Sequence, residues 1–264
     1  MGAMDWIQGI RYLCVLFLVA CQGFKQPDGK TYAVVVGISD YQQLTDRTGD
    51  LRYAEDDARR FMTYLQSRQG GRVAASQIRF LSNKNATQRN LSEALALFRR
   101  AGASDRILFF FSGHGNSKGC ETYEAGTQAR GLLTYHALKQ AFRTSSATTK
   151  ICIIDACMAG AMRAVRLQTS PLVEETHTKT ENSVMILSSR NSQLSSEAKR
   201  LGGGVFSYYL LHGLSGQADT NRDKIVTIQE LYHYVAPRVR KNTPLRQAPV
   251  FYGKFSDDLP MSYL

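Results

Sequence analysis

Most of this chain lacks the features that would place it in a membrane, a metal scaffold or a repeat array. Its five cysteines contain no CxxC pair and no zinc-type spacing, which argues against a zinc ribbon or finger. No low-complexity tract and no internal period is visible, so neither a disordered tail nor a solenoid is expected. Acidic residues are fewer than basic ones, 22 against 33, and the formal net charge is +11. Yet no basic run exceeds a triplet and no nucleic-acid motif appears. The excess reads as a solvated basic surface, without a specific nucleic-acid partner.

The longest apolar run is short as well. Arg11 precedes YLCVLFLVA, residues 12–20, which is too short to cross a bilayer as an ordinary helix but right for the apolar core of a signal peptide. It ends in Leu18-Val19-Ala20-Cys21, which resembles the lipobox of bacterial lipoproteins. The expected layout is a lipoprotein-type signal over 1–21, a linker over 22–31 and one catalytic domain over 32–264. That layout places the protein in the bacterial envelope, secreted or lipid-anchored, with the lipid as its only membrane contact. If 1–21 is not a signal, the protein is cytoplasmic. With Cys14 and Cys21 assigned to the signal, Cys120, Cys152 and Cys157 remain. Three is odd, so at least one thiol stays unpaired.

What is present is a regular alternation. Continuously apolar runs (TYAVVVGI, RILFFF, KICIID, SVMILSS) alternate with segments of helical period, among them DLRYAEDDARRFMTYLQSR, a stretch from Thr87 to about Ala101, TYHALKQAF, GVFSYYLLHGL and TIQELYHYVAPRV. Asp50 is the expected N-cap of the first helix. APVFYG reads as a last short strand. Strands apolar on both faces, separated by helices, predict an α/β fold with a mostly parallel sheet covered on both sides, a three-layer αβα sandwich. In such sheets chemistry collects just past the carboxyl ends of the strands.

Two strands end there in reactive residue types. ILFFFSGHGNS delivers His114 between two glycines, and ICIIDACMAG delivers Cys157 into a glycine-containing turn. A cysteine attacks as a thiolate, so it needs a neighbour that takes its proton; a histidine does this and later protonates the leaving group. Backbone N–H groups at Gly113 and Cys157 are the expected oxyanion hole. Cys152, in mid-strand, reads as a buried structural thiol. His136, His177, His212 and His233 lack this context.

YAVVVGISDY, DLRYAEDDARRF, FFFSGHG, IIDACMAG and GGGVFSYYLLHGL, in that order, resemble the caspase-type cysteine peptidases, and most of all bacterial metacaspases. The likeness covers roughly residues 32–252. It implies the caspase–haemoglobinase fold and a Cys157/His114 dyad that needs no cofactor for its chemistry. It also implies protein or peptide substrates with Arg or Lys at P1, held in an acidic S1 pocket formed by Asp57, Ser112 and Asp155. Met158 departs from the family, which usually has histidine after the catalytic cysteine. Arg52 and Arg190 are positioned to build the alternative, a pocket for aspartate as in caspases proper. A catalytically silent scaffold that binds partners is the reading from another class. The polar segment 164–182 matches the loop where this family often self-cleaves, with Arg163, Arg166 and Lys179 as candidate sites.

DTNRDKIVTIQE, residues 219–230, remains. It sets Asp219, Asn221, Asp223 and Glu230 at positions 1, 3, 5 and 12 of an EF-hand-type loop, with Ile225 offering a backbone carbonyl. Lys224 stands where that turn needs glycine. A calcium site and a self-capped polar loop both fit this pattern.

Overall fold

The computed structural model describes residues 29–44, 49–125, 131–156, 182–189, 197–244 and 247–264. Cys21, Cys157, Arg163, Arg166, Lys179 and Arg190 lie outside the described residues. Strands follow in chain order as β1 (Thr31–Gly37), β2 (Ile78–Ser82), β3 (Arg106–Ser112), β4 (Gly115–Asn116), β5 (Gly119–Glu121), β6 (Leu132–Thr134) and β7 (Thr149–Asp155). After them come β8 (Asn182–Leu187), β9 (Glu197–Ala198), β10 (Gly203–Gly204), β11 (Ile225–Thr227), β12 (Val250–Lys254) and β13 (Pro260–Tyr263). The helices are α1 (Ala54–Gln66), α2 (Gln88–Leu95), α3 (Tyr135–Arg143), α4 (Val205–His212) and α5 (Ile228–Asn242).

The main sheet runs β12-β8-β7-β3-β1-β2. All its pairings are parallel except β12 with β8, an antiparallel edge. Alternate residues of the central strands feed two separate cores, which is why these strands read as continuously apolar. Val34, Val36, Phe109, Phe111, Cys152 and Ile154 pack with Leu91, Leu95, Leu138 and Phe142 of the α2–α3 layer. Ala33, Val35, Leu108, Phe110, Ile151 and Ile153 pack with Phe61, Phe206, Leu210, Leu231 and Val235 of the α1–α4–α5 layer. Each fully buried Phe in β3 contributes about 2–3 kcal/mol by leaving water. The result is the expected αβα sandwich.

The structure also departs from the sequence reading. Asp50 does not cap α1; its carboxylate accepts the Tyr41 N–H at 3.1 Å. The backbone donors just before α1, on Arg52 and Tyr53, go instead to Glu197 of β9 at 3.0 and 2.7 Å. Within the first turn of α1 the Glu55 N–H donates to the Ser39 hydroxyl at 3.0 Å, so a side chain from the loop after β1 serves as the cap. The small antiparallel sheet β4–β5–β6 and the pairing of β11 with β13 were not expected.

Candidate active site

His114 sits just past β3 and is held from three directions. Its backbone N–H donates to the Tyr41 hydroxyl at 2.6 Å, and the Tyr41 ring tilts against the imidazole with centroids 4.9 Å apart. On its other side Nε2 hydrogen-bonds the Gly49 carbonyl. A carbonyl only accepts, so Nε2 carries the proton and the neutral ring keeps its lone pair on Nδ1. That is the tautomer a general base needs, with its orientation fixed by the backbone. Tyr41 is 1% exposed, and burial raises its hydroxyl pKa well above the usual tyrosine value. The phenol is therefore a permanent neutral group in this arrangement.

Beside His114, β3 and β7 end in register, with Ser112 opposite Asp155. Asp57 reaches the same place from α1. It shares the buried face of that helix with Ala54, Ala58, Phe61 and Leu65, where Phe61 stacks on Phe110 of β3 at 4.2 Å. Gly37 permits this approach, because a Cβ there would fall 2.5 Å from the Ala54 carbonyl oxygen. Asp57 and Asp155 are 1% and 4% exposed. Both flank Gly204: a Cβ on that glycine would sit 2.9 Å from an oxygen of each. Any side chain at 204 would occupy the space between the two carboxylates.

Donors around the pair are few. Asp155 Oδ2 accepts the Ser207 hydroxyl at 2.6 Å and the Ser207 N–H at 3.3 Å. Asp57 accepts the Gly204 N–H at 2.8 Å and Arg60 Nη1 at 3.0 Å, while Arg60 Nη2 reaches the Gly202 carbonyl. Burial, and then the negative charge of Asp155, push the Asp57 carboxyl up to about 8, against the pull of Gly204 and Arg60. Among the described residues Arg60 is the cation that pairs with Asp57, and the closeness of the second carboxyl favours the protonated form of Asp57.

The structure places His114, Ser112, Asp57 and Asp155 at the same end of the sheet. Cys157 lies two residues beyond Asp155, outside the described residues. The described thiols are poor nucleophile candidates, since Cys120 and Cys152 are buried and burial raises both pKa values. Ala156, next to Cys157, is fixed through its carbonyl, which accepts the buried hydroxyls of Ser188 and Ser189 at 3.4 Å. Gln247 in turn donates to the Ser188 carbonyl at 2.8 Å.

The oxyanion expectation needs correction. The Gly113 N–H donates across the sheet to the Asp155 carbonyl at 3.1 Å and is not available to a substrate oxygen. Gly115 is the better donor. Glu121 N–H donates to the His114 carbonyl, which makes Gly115–Cys120 the non-hydrogen-bonded kind of antiparallel pair and turns the Gly115 N–H away from β5.

The EF-hand-type loop is corrected as well. Arg222 and Lys224 both adopt positive φ, 63° and 69°, so the turn forms without glycine. Its acceptors are spent on the loop itself. Asp219 accepts the N–H groups of Arg222 and Lys224, and Asp223 accepts those of Ile225 and the Asn221 amide. Asn221 accepts the Asp223 N–H. Glu230 closes a capping box with Thr227 and also binds Thr220. Among the described residues no group of three or more His, Cys, Asp or Glu is placed to hold a metal ion. The calcium reading of Asp219, Asn221, Asp223, Ile225 and Glu230 is not supported.

Comparison with known proteins bears on the same residues. The sequence profile described as "Caspase domain" matches residues 30–260. This chain belongs to the caspase-domain family. The family is one of cysteine peptidases, hydrolases that act on proteins and require no cofactor for their chemistry. Among solved structures, protein GSU0716 from Geobacter sulfurreducens is similar, with a TM-score of 0.58 and 17% identity over 89% of this chain and 99% of that one. At that identity the likeness speaks for the fold. A search of curated proteins returned no match. Within the caspase domain, the residues that sequence reasoning missed are Tyr41, the Gly49 carbonyl, Arg60, Glu197 and Ser207. A charged Asp57 on an otherwise apolar helix stripe was the one visible signal near them.

Proposed function

We propose that this caspase domain is an endopeptidase that cuts after Arg or Lys, with Cys157 as nucleophile and His114 as general base and acid. The observation that carries the reading is the His114 imidazole, oriented by the Gly49 carbonyl at the end of β3 with Nδ1 left to accept a proton. In the reaction Nδ1 takes the thiol proton while Sγ attacks the scissile carbonyl carbon. The oxyanion is stabilised by the N–H groups of Gly115 and Cys157. The C–N bond breaks as His114 returns the proton to the leaving amine, and water then hydrolyses the thioester.

The preference for basic residues rests on the buried Asp57–Asp155 pair, with Ser112 beside it. A guanidinium or ammonium at P1 would be met there by charge-assisted hydrogen bonds. Self-cleavage after Arg163, Arg166 or Lys179 belongs to the same proposal. So does export with lipid attachment at Cys21, for which labelled fatty acid incorporated into wild type and not into Cys21→Ser is the check. Fluorogenic peptides with Arg, Lys or Asp at P1, offered to wild type and Cys157→Ala, test the activity. Cleavage of the Arg and Lys peptides by wild type alone is expected. Preferential cleavage after Asp would move the pocket to Arg52 and Arg190, and no cleavage of any peptide would favour the silent scaffold. Intact mass after incubation reads the self-cleavage.

A further inference from the structure

At the opposite end of the sheet, β1, β3 and β7 begin side by side, with Thr31 opposite Arg106 and Arg106 opposite Thr149. A cavity of about 80 Å³ opens there, lined by these three residues together with Ser104, Asp105 and Tyr263. Its charge balance is unusual. Arg59, Arg60 and Arg89 each pair with a carboxylate, at 2.6, 3.0 and 2.9 Å. Arg106 makes no ion pair among the described residues. Its one hydrogen bond there runs from Nη2 to the Pro260 carbonyl at 3.0 Å. The ionisable groups facing it are the phenols of Tyr64 and Tyr263, which are neutral at ordinary pH.

Burial penalises this guanidinium and lowers its pKa, yet arginine does not give up its proton in proteins. Arg106 is half-buried, and a cation partly drawn out of water without an ion-pair partner carries a cost that falls when an anion joins it. Asp105 also lines the cavity, but its carboxylate is turned to backbone N–H groups and makes no ion pair with Arg106. Its two oxygens accept the N–H groups of Lys30 and Gly102 at 2.7 and 2.8 Å. The hydroxyls of Thr31, Ser104, Thr149 and Tyr263 have no hydrogen-bond partner among the described residues and can serve as donors.

We propose that this cavity binds one small oxyanion of the phosphate or sulfate type, held by the Arg106 guanidinium and the surrounding hydroxyl groups. The fork of N–H donors left on Arg106 matches two oxygens of such an ion. A volume of about 80 Å³ admits a single tetrahedral anion and is too small for a nucleotide. This site is separate from the catalytic end of the sheet and does not depend on the peptidase reading.

Calorimetric titration of the full chain with inorganic phosphate, at ionic strength held constant with sodium chloride, is the test. One saturable site is expected, competed by sulfate and not by added chloride. Arg106→Gln should weaken it at least tenfold, and Arg106→Lys should weaken it less, because the charge stays and the fork is lost. Should the loss of the Pro260 contact unfold the Arg106 variants, Thr149→Val decides, with a weakening of a few-fold expected in a folded protein. A parallel titration with glycerol 3-phosphate separates the sources: equal affinity marks a site open to phosphate monoesters, and loss of binding marks one for the free ion. Absence of saturable binding in wild type, or unchanged binding in folded Arg106→Gln, or in Thr149→Val where the Arg106 variants do not fold, overturns the proposal.

Discussion

Two regions of this molecule gather carboxylates of the kind that bind cations, one within a single loop and one from segments far apart in sequence. They differ in how the carboxylates are neutralised. In the 219–230 loop every acidic side chain bends back onto the backbone or a hydroxyl of the same loop. Each carboxylate finds its donors locally, and among the described residues no group of three or more is placed to hold a metal ion. At the carboxyl ends of the strands, Asp57 and Asp155 come from segments 98 residues apart (155 − 57) and meet over Gly204 with few donors. Burial and the negative charge of Asp155 raise the Asp57 pKa there, an electrostatic coupling that the proposed basic P1 side chain would relieve. Convergence of distant segments, and not acidic composition, sets the two regions apart.

The comparison breaks most severely at the histidine. His114→Ala should lower kcat about 10²–10⁴-fold on an Arg peptide while the circular dichroism spectrum stays native. Activity retained at wild-type level in a folded variant would show that the Gly49-anchored imidazole serves another purpose.

Asp57→Asn sharpens it next. Removing one charge of the pair should lower kcat/KM for Arg substrates about tenfold to hundredfold, roughly 1.4–2.8 kcal/mol. A pH effect accompanies this. The folded Asp57 carboxyl is raised from the usual range to about 8. Below about pH 4 both folded and unfolded states hold its proton and its contribution to stability is complete. Between there and about 8 only the folded state holds the proton, so stability falls as pH rises, and the slope flattens above about 8. Thermal melts across that window should show the decline in wild type and a flatter profile in Asp57→Asn. Binding of an Arg-terminated inhibitor below pH 8 should release a proton, seen as a buffer-dependent heat.

Much of this was legible beforehand, and the limit is physical. The apolar runs pointed to the sheet, and the strand ends at His114 and Asp155 stood out as positions on it, because each is a local pattern with a local cause. Asp57 could be assigned only through family likeness, although its position on the stripe of Ala54, Ala58 and Phe61 is odd enough to notice. The Gly49 carbonyl, the Glu197 contact to Arg52 and Tyr53, and the Ser207 hydroxyl left no trace in sequence. Each is a contact between distant segments through a common residue type, and no periodicity encodes that. That the Gly113 N–H is claimed by β7, a strand far along the chain, is likewise invisible in sequence.

Tyr41→Phe tests one such contact at smaller scale. It keeps the ring against His114 and deletes the acceptor of the His114 N–H. An unsatisfied buried donor costs about 1–3 kcal/mol, so the melting temperature should drop, and kcat should fall more than KM rises. An unchanged melt would mean that water replaces the phenol.

The smallest effect is expected at Glu230, and it bears on the difference between the two regions. Burial alone would raise this carboxyl's pKa, but the backbone and side-chain donors of Thr227 and Thr220 outweigh it and hold the group below the ordinary glutamate range. Its contribution is therefore present at neutral pH and lost as pH falls through the lowered folded pKa. Glu230→Ala removes one half of the capping box at the start of α5, which is worth about 1 kcal/mol. If the loop is self-satisfied, that loss is the same in millimolar calcium and in chelator, because no ion depends on the missing carboxylate. If calcium instead stabilises wild type and not Glu230→Ala, the loop must open its Thr220 and Thr227 contacts to take the ion. The two regions would then differ only in which cation they await. Paired denaturant melts of both proteins, with and without calcium, separate these outcomes.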